Sequence, residues 1–293
     1  MQILDGRKLA KEIREELALE VQDITRDGGR APHLAAILVG DNPASQAYVR
    51  NKVRSCEKVG FESTLIKRGE ETSEEEILKI VEELNQNPAI DGFIVQLPLP
   101  DHIDEDKITL AIDPAKDVDG FHPVNFGRMA QGLPCYVPAT PFGITEMLRR
   151  YKINTSGMEV VVIGRSNIVG TPMSILLSRK DNPGNATVTL CHSRTKDLKA
   201  HTLQADMIVA AIGRPNYVTA DMVKEGVVII DVGINRVDDP NAKRGYRLVG
   251  DVDFEGLKEK ASYITPVPGG VGQLTVVSLL MNTLKARRKE VYK

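Results

Sequence analysis

The stretch that decides the fold is Glu159–Pro172, which reads EVVVIGRSNIVGTP. It predicts a buried strand, a glycine-bearing turn and a helix with proline in its first turn. The spacing departs from the GxGxxG fingerprint, because Ser166 replaces the second glycine and Gly170 comes one residue late. Gly164 permits a tight turn, and free N–H groups at a helix start can hold a pyrophosphate. A dinucleotide-binding turn is therefore predicted, with an ordinary α/β loop as the alternative.

On both sides of this stretch, short apolar runs alternate with longer amphipathic segments. This alternation is typical of βα units and parallel sheets, so the predicted class is α/β with one sheet in each half of the chain. The predicted strands are Leu34–Val39, Ser63–Lys67 and Gly92–Leu97 in the first half, and Glu159–Ile163, Ala186–Leu190, Met207–Ile212, Val227–Asp231 and Tyr263–Thr265 in the second.

A loop-rich stretch, Asp113–Gly143, separates the two groups of strands and holds five prolines and four glycines. We place the domain boundary near Pro141. A last helix, Leu274–Arg288, has the basic end that favours a helix C-terminus, and we assign it to the first domain. The predicted domains are residues 1–140 with 274–293, and residues 141–273.

Composition excludes several classes of protein. Of the 293 residues, 38 are basic and 40 acidic, and this balance gives no reason to expect nucleic acid or an acidic membrane as a partner. No apolar run approaches the roughly 18 residues of a membrane span. The first 21 residues carry too many charges for a targeting peptide. Three scattered cysteines offer no disulfide framework, and the five histidines show no metal-ligand spacing. We therefore expect a cytoplasmic protein that binds small molecules and no metal.

The strand that ends at Leu190 indicates which dinucleotide is bound. NAD-binding proteins carry a carboxylate at this strand end, about 20 residues after the glycine turn. Here the strand runs into CHSRT, where Ser193 can donate a hydrogen bond to a 2′-phosphate. Arg165 and Arg194 supply charge and forked donors, so NADP is favoured over NAD. For either arginine, the alternative is a solvated surface charge.

A lysine falls on the apolar face of a predicted helix, Pro43–Val59, for which the preceding Asp-Asn offers an N-cap. At about 100° per residue, Lys52 lies in an apolar arc, and Tyr48 shares its face. Partial burial disfavours a charged lysine and lowers its pKa towards the range useful for proton transfer. Alternatively, Lys52 extends past the apolar stripe to water. The residues of the arc are Tyr48, Val49, Lys52, Val53, Cys56 and Val59.

Two more polar residues occur where ligands bind in α/β proteins. Gln96 lies near the end of a predicted strand, and ligands of open α/β sheets bind beyond the carboxyl ends of strands. Asp119 lies in an acidic turn, Pro114–Gly120, from which a carboxylate can reach a cleft. The alternatives are that Gln96 caps its strand and that Asp119 makes an Asx-turn.

Six motifs in register resemble those of the bifunctional methylenetetrahydrofolate dehydrogenase/cyclohydrolase family. The resemblance covers nearly the whole chain. It implies a substrate domain and a Rossmann domain with a cleft between them, usually in a homodimer. The motifs are Tyr48–Lys52 (YVRNK), Gln96–Pro100 (QLPLP), Lys116–Gly120 (KDVDG), Gly164–Gly170 (GRSNIVG), Asp231–Asn235 (DVGIN) and Pro266–Gly272 (PVPGGVG).

The resemblance also implies two reactions. The first is hydride transfer from 5,10-methylenetetrahydrofolate to NADP, and the second is hydrolysis of the methenyl cation to 10-formyltetrahydrofolate. Lys52 would be the general acid/base of the hydrolysis, with Gln96 tuning and orienting it. Tyr48 would stack on or orient the folate, and Asp119 would bind the aminopyrimidine edge of the pterin.

The family pattern assigns two further segments to the site. Pro268, Gly269 and Gly270 would line the cleft beside the folate, and Ile234 would lie near the nicotinamide. The chain departs from the pattern at Ala139, where relatives commonly have cysteine. It also departs at Gln273-Leu274, where relatives usually have Pro-Met. The first departure removes a cysteine thiol, and the second removes a proline that would stiffen the loop. Neither departure changes the expected reaction class.

Three other functions stay open at this stage. One is an NADP dehydrogenase for another small substrate, such as a shikimate-type alcohol. Another is a monofunctional dehydrogenase that has lost the hydrolysis, and the third is a folate- or nucleotide-binding protein without turnover. Lys52, Gln96 and Asp119 argue against the first function, because an alcohol oxidation has no use for a pterin-binding carboxylate. The intact set of Tyr48, Lys52 and Gln96 argues against the second, and the presence of Lys52 argues against the third.

Overall fold

The computed structural model describes residues 1–242 and 245–292. These residues pack into two units, each with its own parallel sheet, which confirms the α/β class. The three-stranded unit contains Lys11–Ala139 and the residues from Val276 onward, and the six-stranded unit contains Met1–Ala10 and Thr140–Thr275. Lys243, Arg244 and Lys293 belong to the predicted domain ranges but lie outside the described residues.

The elements alternate between strand and helix along most of the chain. The strands are β1 (Gln2–Ile3), β2 (His33–Val39), β3 (Glu62–Arg68), β4 (Gly92–Val95), β5 (Glu159–Ile163), β6 (Thr187–Cys191), β7 (Met207–Ala210), β8 (Val228–Asp231), β9 (Asn235–Asp238), β10 (Tyr246–Val249) and β11 (Tyr263–Ile264). The helices are α1 (Gly6–Arg26), α2 (Pro43–Val59), α3 (Glu74–Gln86), α4 (Glu105–Ala111), α5 (Pro123–Ala130), α6 (Ala139–Arg150), α7 (Gly170–Ser178), α8 (Leu198–Thr202), α9 (Phe254–Leu257) and α10 (Leu274–Arg287). Short 3-10 turns span Ala220–Met222 and Val271–Gln273. Among the described helices, none is both long and apolar enough to cross a bilayer.

The three-stranded unit has the parallel strand order β3-β2-β4. The central strand β2 is almost entirely buried, because both of its faces are covered, and Ile37 packs in one cluster with Ile77 of α3 and Phe93 of β4. Strand β4 ends at Val95, earlier than the predicted Leu97. The Gln96 N–H still donates to Ile37 O at 2.9 Å, so the next residue keeps the direction of the strand.

The six-stranded unit has the parallel order β1-β11-β8-β7-β5-β6. Strands β7 and β8 are buried throughout, which explains why their residues are apolar except for Asp231 at the end of β8. The strand order reverses beside β5, because β6 lies on one side of it and β7 on the other. In open α/β sheets such a reversal opens a crevice beyond the strand ends, where ligands bind.

The sequence assigned the first residues to the first domain, whereas in the structure Met1–Ala10 pack with the six-stranded unit. Strand β1 pairs in parallel with β11, and the Leu4 N–H donates to Ile264 O at 2.8 Å. A two-residue strand has no apolar run long enough to be recognised in the sequence, and its pairing with a segment far along the chain is a tertiary contact.

Two other features were not anticipated. The stretch predicted as loop-rich contains α5 and the start of α6, because Pro123 and Pro141 lie in the first turns of these helices, where proline is tolerated. Strands β9 and β10 form an antiparallel hairpin in which Arg236 lies 4.1 Å from the Tyr246 ring centroid. None of the residues in these two strands is buried, and their sequences contain no apolar run.

Helix α10 belongs mostly to the three-stranded unit, where Asn282 joins it to other segments by hydrogen bonds. This side chain is fully buried, and its Nδ2 donates to Val118 O at 2.8 Å and to Val137 O at 2.9 Å. Both carbonyl groups would lose a partner without it, and a buried polar group without a hydrogen bond is costly.

We expect Asn282→Ala to lower the free energy of unfolding by about 2 kcal/mol, because two carbonyl groups lose their donor. Asn51→Ala is the matched control, since Asn51 is exposed on α2 and alanine has the higher helix propensity. Thermal unfolding followed by circular dichroism measures both midpoints. Equal midpoints for the two variants would show that the Asn282 contacts contribute nothing.

Candidate active site and dinucleotide-binding site

Helix α2, which carries Lys52, has the bounds that the sequence predicts. Asn42 Oδ1 accepts from the N–H groups of Ala44 and Ser45 at 2.9 and 3.2 Å, and proline follows at the first helical position. The helix ends at Gly60, whose φ of 79° is the left-handed conformation that favours glycine. Lys52 therefore projects from a helix that is capped at both ends.

The structure brings Lys52 and Gln96 together from positions 44 residues apart. Lys52 Nζ donates to Gln96 Oε1 at 3.2 Å, and Gln96 Nε2 donates to Leu97 O at 2.7 Å. A lysine only donates, so the amide oxygen must face Lys52 and the amide nitrogen must face the backbone. Both side chains are half-buried. Gln96 thus holds the amine of Lys52 in one direction while Lys52 keeps access to solvent.

The apolar face below Lys52 is narrower than predicted. Val49, Cys56 and Val59 are buried, whereas Tyr48 is 52% exposed and does not belong to the buried stripe. Burial raises the pKa of the Cys56 thiol to about 12, so this side chain packs as a neutral group. Tyr48 and Lys52 remain one helical turn apart, with the phenol ring free to meet a ligand.

The turn that carries Asp119 is organised by Asp117. The Asp117 carboxylate, which is 2% exposed, accepts from the N–H groups of Gly120 at 3.1 Å and His122 at 2.8 Å, and from Asn125 Nδ2 at 2.9 Å. Burial raises the pKa of this carboxyl group to about 7, although the hydrogen bonds by themselves would lower it. Asp117, and not Asp119, therefore makes the Asx-type turn. Sequence reasoning missed this role because either aspartate of the motif could fill it.

Asp119 is left half-buried by this turn. It lines a cavity of about 20 Å³ together with Val95 and Leu97, the residues on either side of Gln96. The three-stranded unit therefore places the Asp119 turn and the Lys52–Gln96 pair at the same end of β4.

The glycines of the dinucleotide turn are required by close backbone approach. A Cβ on Gly164 would lie 2.1 Å from Ala211 O, and one on Gly170 would lie 1.9 Å from Gly164 O. Ser166 Oγ accepts from the Val169 N–H at 3.2 Å, so a serine side chain stabilises the turn where the usual fingerprint has its second glycine. Helix α7 begins at Gly170, and the turn keeps the compact form that lets a pyrophosphate approach the backbone.

A cavity of about 260 Å³ lies beside this turn in the six-stranded unit. Gly164, Arg165 and Ser193, three of the predicted cofactor-binding residues, line it. The other three predicted cofactor residues, Ser166, Arg194 and Ile234, are exposed and lie outside this cavity.

Sequence reasoning missed Arg214 and Tyr217, which also line the cavity. They follow β7, the neighbour of β5 on the far side from β6. The sequence does show that Arg214 is a basic residue shortly after a buried strand. It does not show that this strand pairs with β5, which is what brings Arg214 to the cavity.

Two buried carboxylates hold the loops after β7 and β8. Asp251 is fully buried, and its carboxylate accepts from the N–H groups of Gly213 and Arg214 at 3.0 and 2.9 Å and from Asn235 Nδ2 at 2.9 Å. Asp231 Oδ1 in turn accepts from the Asp251 N–H at 2.9 Å. Burial raises the pKa of Asp231 to about 7. Together they set the course of the loop that contains the exposed Ile234.

The loop that contains Pro268, Gly269 and Gly270 is packed against the first residues of the chain. Gly269 O accepts from the Arg7 N–H at 3.2 Å, and a Cβ on Gly6 would lie 2.0 Å from Gly270 O. The two glycines are buried, and Pro268 is exposed. Within the described parts of the chain, no three His, Cys, Asp or Glu side chains form a group that could hold a metal ion.

We expect Gly170→Ala to lower the free energy of unfolding by about 2 kcal/mol, because the added Cβ overlaps the backbone at Gly164. Gly127→Ala is the matched control, since Gly127 lies in α5 with nothing within 4 Å of the added Cβ. Alanine is favoured there by about 0.5–1 kcal/mol. Midpoints of thermal unfolding compare the two, and a rise in both would argue against the close approach.

Two family models divide the chain between them. The model for the tetrahydrofolate dehydrogenase/cyclohydrolase catalytic domain matches residues 4–119, and the model for the NAD(P)-binding domain of the same family matches residues 138–291. The bifunctional protein FolD of Flavobacterium johnsoniae is 61% identical over 288 residues, which cover 98% of each chain. FolD of Cytophaga hutchinsonii is 59% identical, over 98% of this chain and 99% of its own.

Solved structures extend the similarity to the fold. FolD of Campylobacter jejuni, a methylenetetrahydrofolate dehydrogenase/cyclohydrolase, is 47% identical with a TM-score of 0.93, over 99% of each chain. The Trypanosoma brucei enzyme, solved with NADP cofactor and inhibitor, is 40% identical with a TM-score of 0.91, over 99% of this chain and 98% of its own. These similarities confirm the resemblance seen in the motifs, and the chain belongs to the tetrahydrofolate dehydrogenase/cyclohydrolase family.

Proposed function

We propose that this protein oxidises 5,10-methylenetetrahydrofolate with NADP and then hydrolyses the methenyl product to 10-formyltetrahydrofolate. The observation that carries the proposal is the hydrogen bond between Lys52 Nζ and Gln96 Oε1. It presents an amine in a fixed direction beside a strand end, which hydrolysis requires and a dehydrogenase alone does not. The family membership of both units supports the same two activities.

The hydrolysis needs proton transfer more than activation of its substrate. The methenyl carbon belongs to a cationic amidine, so water adds to it readily. As the bond from this carbon to N5 breaks, N5 takes up one of the water protons, and the other is released to solvent. Lys52 is the group we assign to these transfers, because one Nζ can accept a proton from the attacking water and return it to N5. Gln96 is a positioning residue that keeps Nζ directed at the reacting atoms.

The oxidation needs chiefly that two carbon atoms be held together. NADP, when bound, accepts the hydride from the methylene carbon. The residues that fit the cofactor are Gly164, whose lack of a side chain lets a pyrophosphate approach, and Arg165 and Ser193, which line the 260 Å³ cavity. We further propose that Ile234 lies at the nicotinamide end, on the loop held by Asp231 and Asp251.

The folate is assigned to the three-stranded unit. We propose that Tyr48 packs on the folate through its exposed ring, and that Asp119 accepts hydrogen bonds from the aminopyrimidine edge of the pterin. A carboxylate pairs well with this edge, which offers neighbouring N–H donors. An alcohol dehydrogenase of similar plan would have no use for such a carboxylate. Pro268, Gly269 and Gly270 are proposed to contact the folate as well.

Two broader expectations belong to the same proposal. We propose a cytoplasmic homodimer, without nucleic-acid or membrane partners, on the basis of the family resemblance and the net charge of -2. Size-exclusion chromatography with light scattering measures the mass of the particle. A monomer at micromolar concentration would contradict the dimer.

Replacement of Lys52 tests the hydrolysis directly. We expect Lys52→Met to slow hydrolysis of methenyltetrahydrofolate by about 100-fold or more, because the proton-transfer group is lost. The measurement is the decay of methenyl absorbance after addition of the purified compound. Lys58→Met is the matched control, since Lys58 is exposed in the last turn of the same helix. Hydrolysis by Lys52→Met at the parental rate would remove Lys52 from the mechanism.

Replacement of Asp119 tests the pterin contact. We expect Asp119→Ala to raise KM for methylenetetrahydrofolate by roughly 10-fold or more, the effect of losing a charged hydrogen-bond partner. Affinity for NADP, measured by calorimetry, stays within about 2-fold of the parental value. Asp106→Ala is the control, because Asp106 is exposed on α4. An unchanged KM for folate in Asp119→Ala would refute the assignment.

A further inference from the structure

The 260 Å³ cavity brings together residues from three strand ends. Arg165 follows β5, Ser193 follows β6, and Arg214 and Tyr217 follow β7. Because the strand order reverses beside β5, the ends of β5 and β7 flank the crevice where a ligand binds in sheets of this kind. Arg214 therefore lies at the switch point itself, although its loop is far along the chain from the glycine turn.

Arg214 and Tyr217 are held in place by one buried residue. The Arg214 N–H donates to Asp251 Oδ1 at 2.9 Å, and the Tyr217 N–H donates to Asp251 O at 2.7 Å. The Arg214 guanidinium carbon lies 5.6 Å from the centroid of the Tyr217 ring, within the range of a cation–π contact. A fully buried anchor and an aromatic support distinguish this arginine from a mobile surface charge.

The charge of the cavity suits a phosphate. Arg165 and Arg214 supply positive charge to its lining, and among the lining residues in the described parts of the chain none is acidic. Guanidinium groups bind phosphate oxygens through paired N–H donors, which a 2′-hydroxyl does not match. Arg194, which the sequence favoured for this task, is as exposed as Arg165 and Arg214 but does not line the cavity.

We propose that Arg214 is a specificity-determining residue that binds the adenosine 2′-phosphate of NADP together with Arg165, and that Tyr217 positions its guanidinium. The inference rests on the proposed function, because it concerns the cofactor of the same oxidation. It adds a second guanidinium, from the β7 loop, to a site that the sequence had assigned to the loops after β5 and β6.

The test uses two probes that differ by the 2′-phosphate. Calorimetry measures binding of adenosine 2′,5′-bisphosphate and of adenosine 5′-monophosphate to the full chain. We expect Arg214→Gln to weaken the bisphosphate roughly 10-fold or more and the monophosphate by less than about 2-fold, because only the first carries the recognised group. Arg214→Lys should recover part of the loss, since it keeps the charge but not the forked donors. Arg247→Gln, at an exposed position of β10 outside the cavity, is the matched control and should bind both probes like the parent. Arg194→Gln tests the position after β6 that the sequence favoured.

Turnover gives a second readout. Arg214→Gln should raise KM for NADP roughly 10-fold and leave kcat and KM for NAD within about 2-fold, as expected for a residue that contacts only the phosphate. Equal weakening of both probes would overturn the proposal, because Arg214 would then support the loop or the adenosine. A loss confined to Arg194→Gln would also overturn it and place the phosphate after β6. Parental protein that binds the bisphosphate but does not turn over methylenetetrahydrofolate would count against the proposed function and leave this site standing.

Discussion

Parallel strand pairing is the constraint on which both units depend. Parallel strands need crossover connections, so the carboxyl ends of neighbouring strands meet at one edge of the sheet. The polar residues of interest follow these ends: Gln96 after β4, Arg165 after β5, Ser193 after β6 and Arg214 after β7. Residues far apart in the chain thereby become neighbours at the edge, while apolar side chains of the strands fill the buried cores and supply rigidity.

Buried carboxylates do the finer positioning in each unit. The Asp117 carboxylate accepts hydrogen bonds from backbone N–H groups of the turn that carries Asp119. The Asp251 carboxylate accepts hydrogen bonds from backbone N–H groups of the loop that carries Arg214. Burial of a carboxyl group is costly unless several donors surround it, so such a residue holds its loop in one conformation. In both units, a buried aspartate fixes the backbone that carries a more exposed side chain, Asp119 in one unit and Arg214 in the other.

Local patterns in the sequence located most of the scaffold. Every strand that was predicted from an apolar run is present, and α2 begins and ends at the predicted residues because its caps are local. The exceptions have physical reasons. Strand β1 is too short to show a pattern, and the two strands of the β9–β10 hairpin have only half-buried and exposed residues. Periodicity placed Tyr48 on the face of Lys52, but periodicity gives the direction of a side chain and not what covers it, and the structure leaves this ring exposed.

The sequence by itself determined the α/β class, the glycine turn at Gly164 and the position of Lys52 on an apolar helix face. These features follow from periodicity and from steric limits on a few consecutive residues. Only the tertiary structure decided that Lys52 meets Gln96, that Arg214 rather than Arg194 lines the cavity, and that Met1–Ala10 join the six-stranded unit. Those contacts depend on the order in which strands pair, and that order is set by the packing of the whole sheet rather than by any local segment.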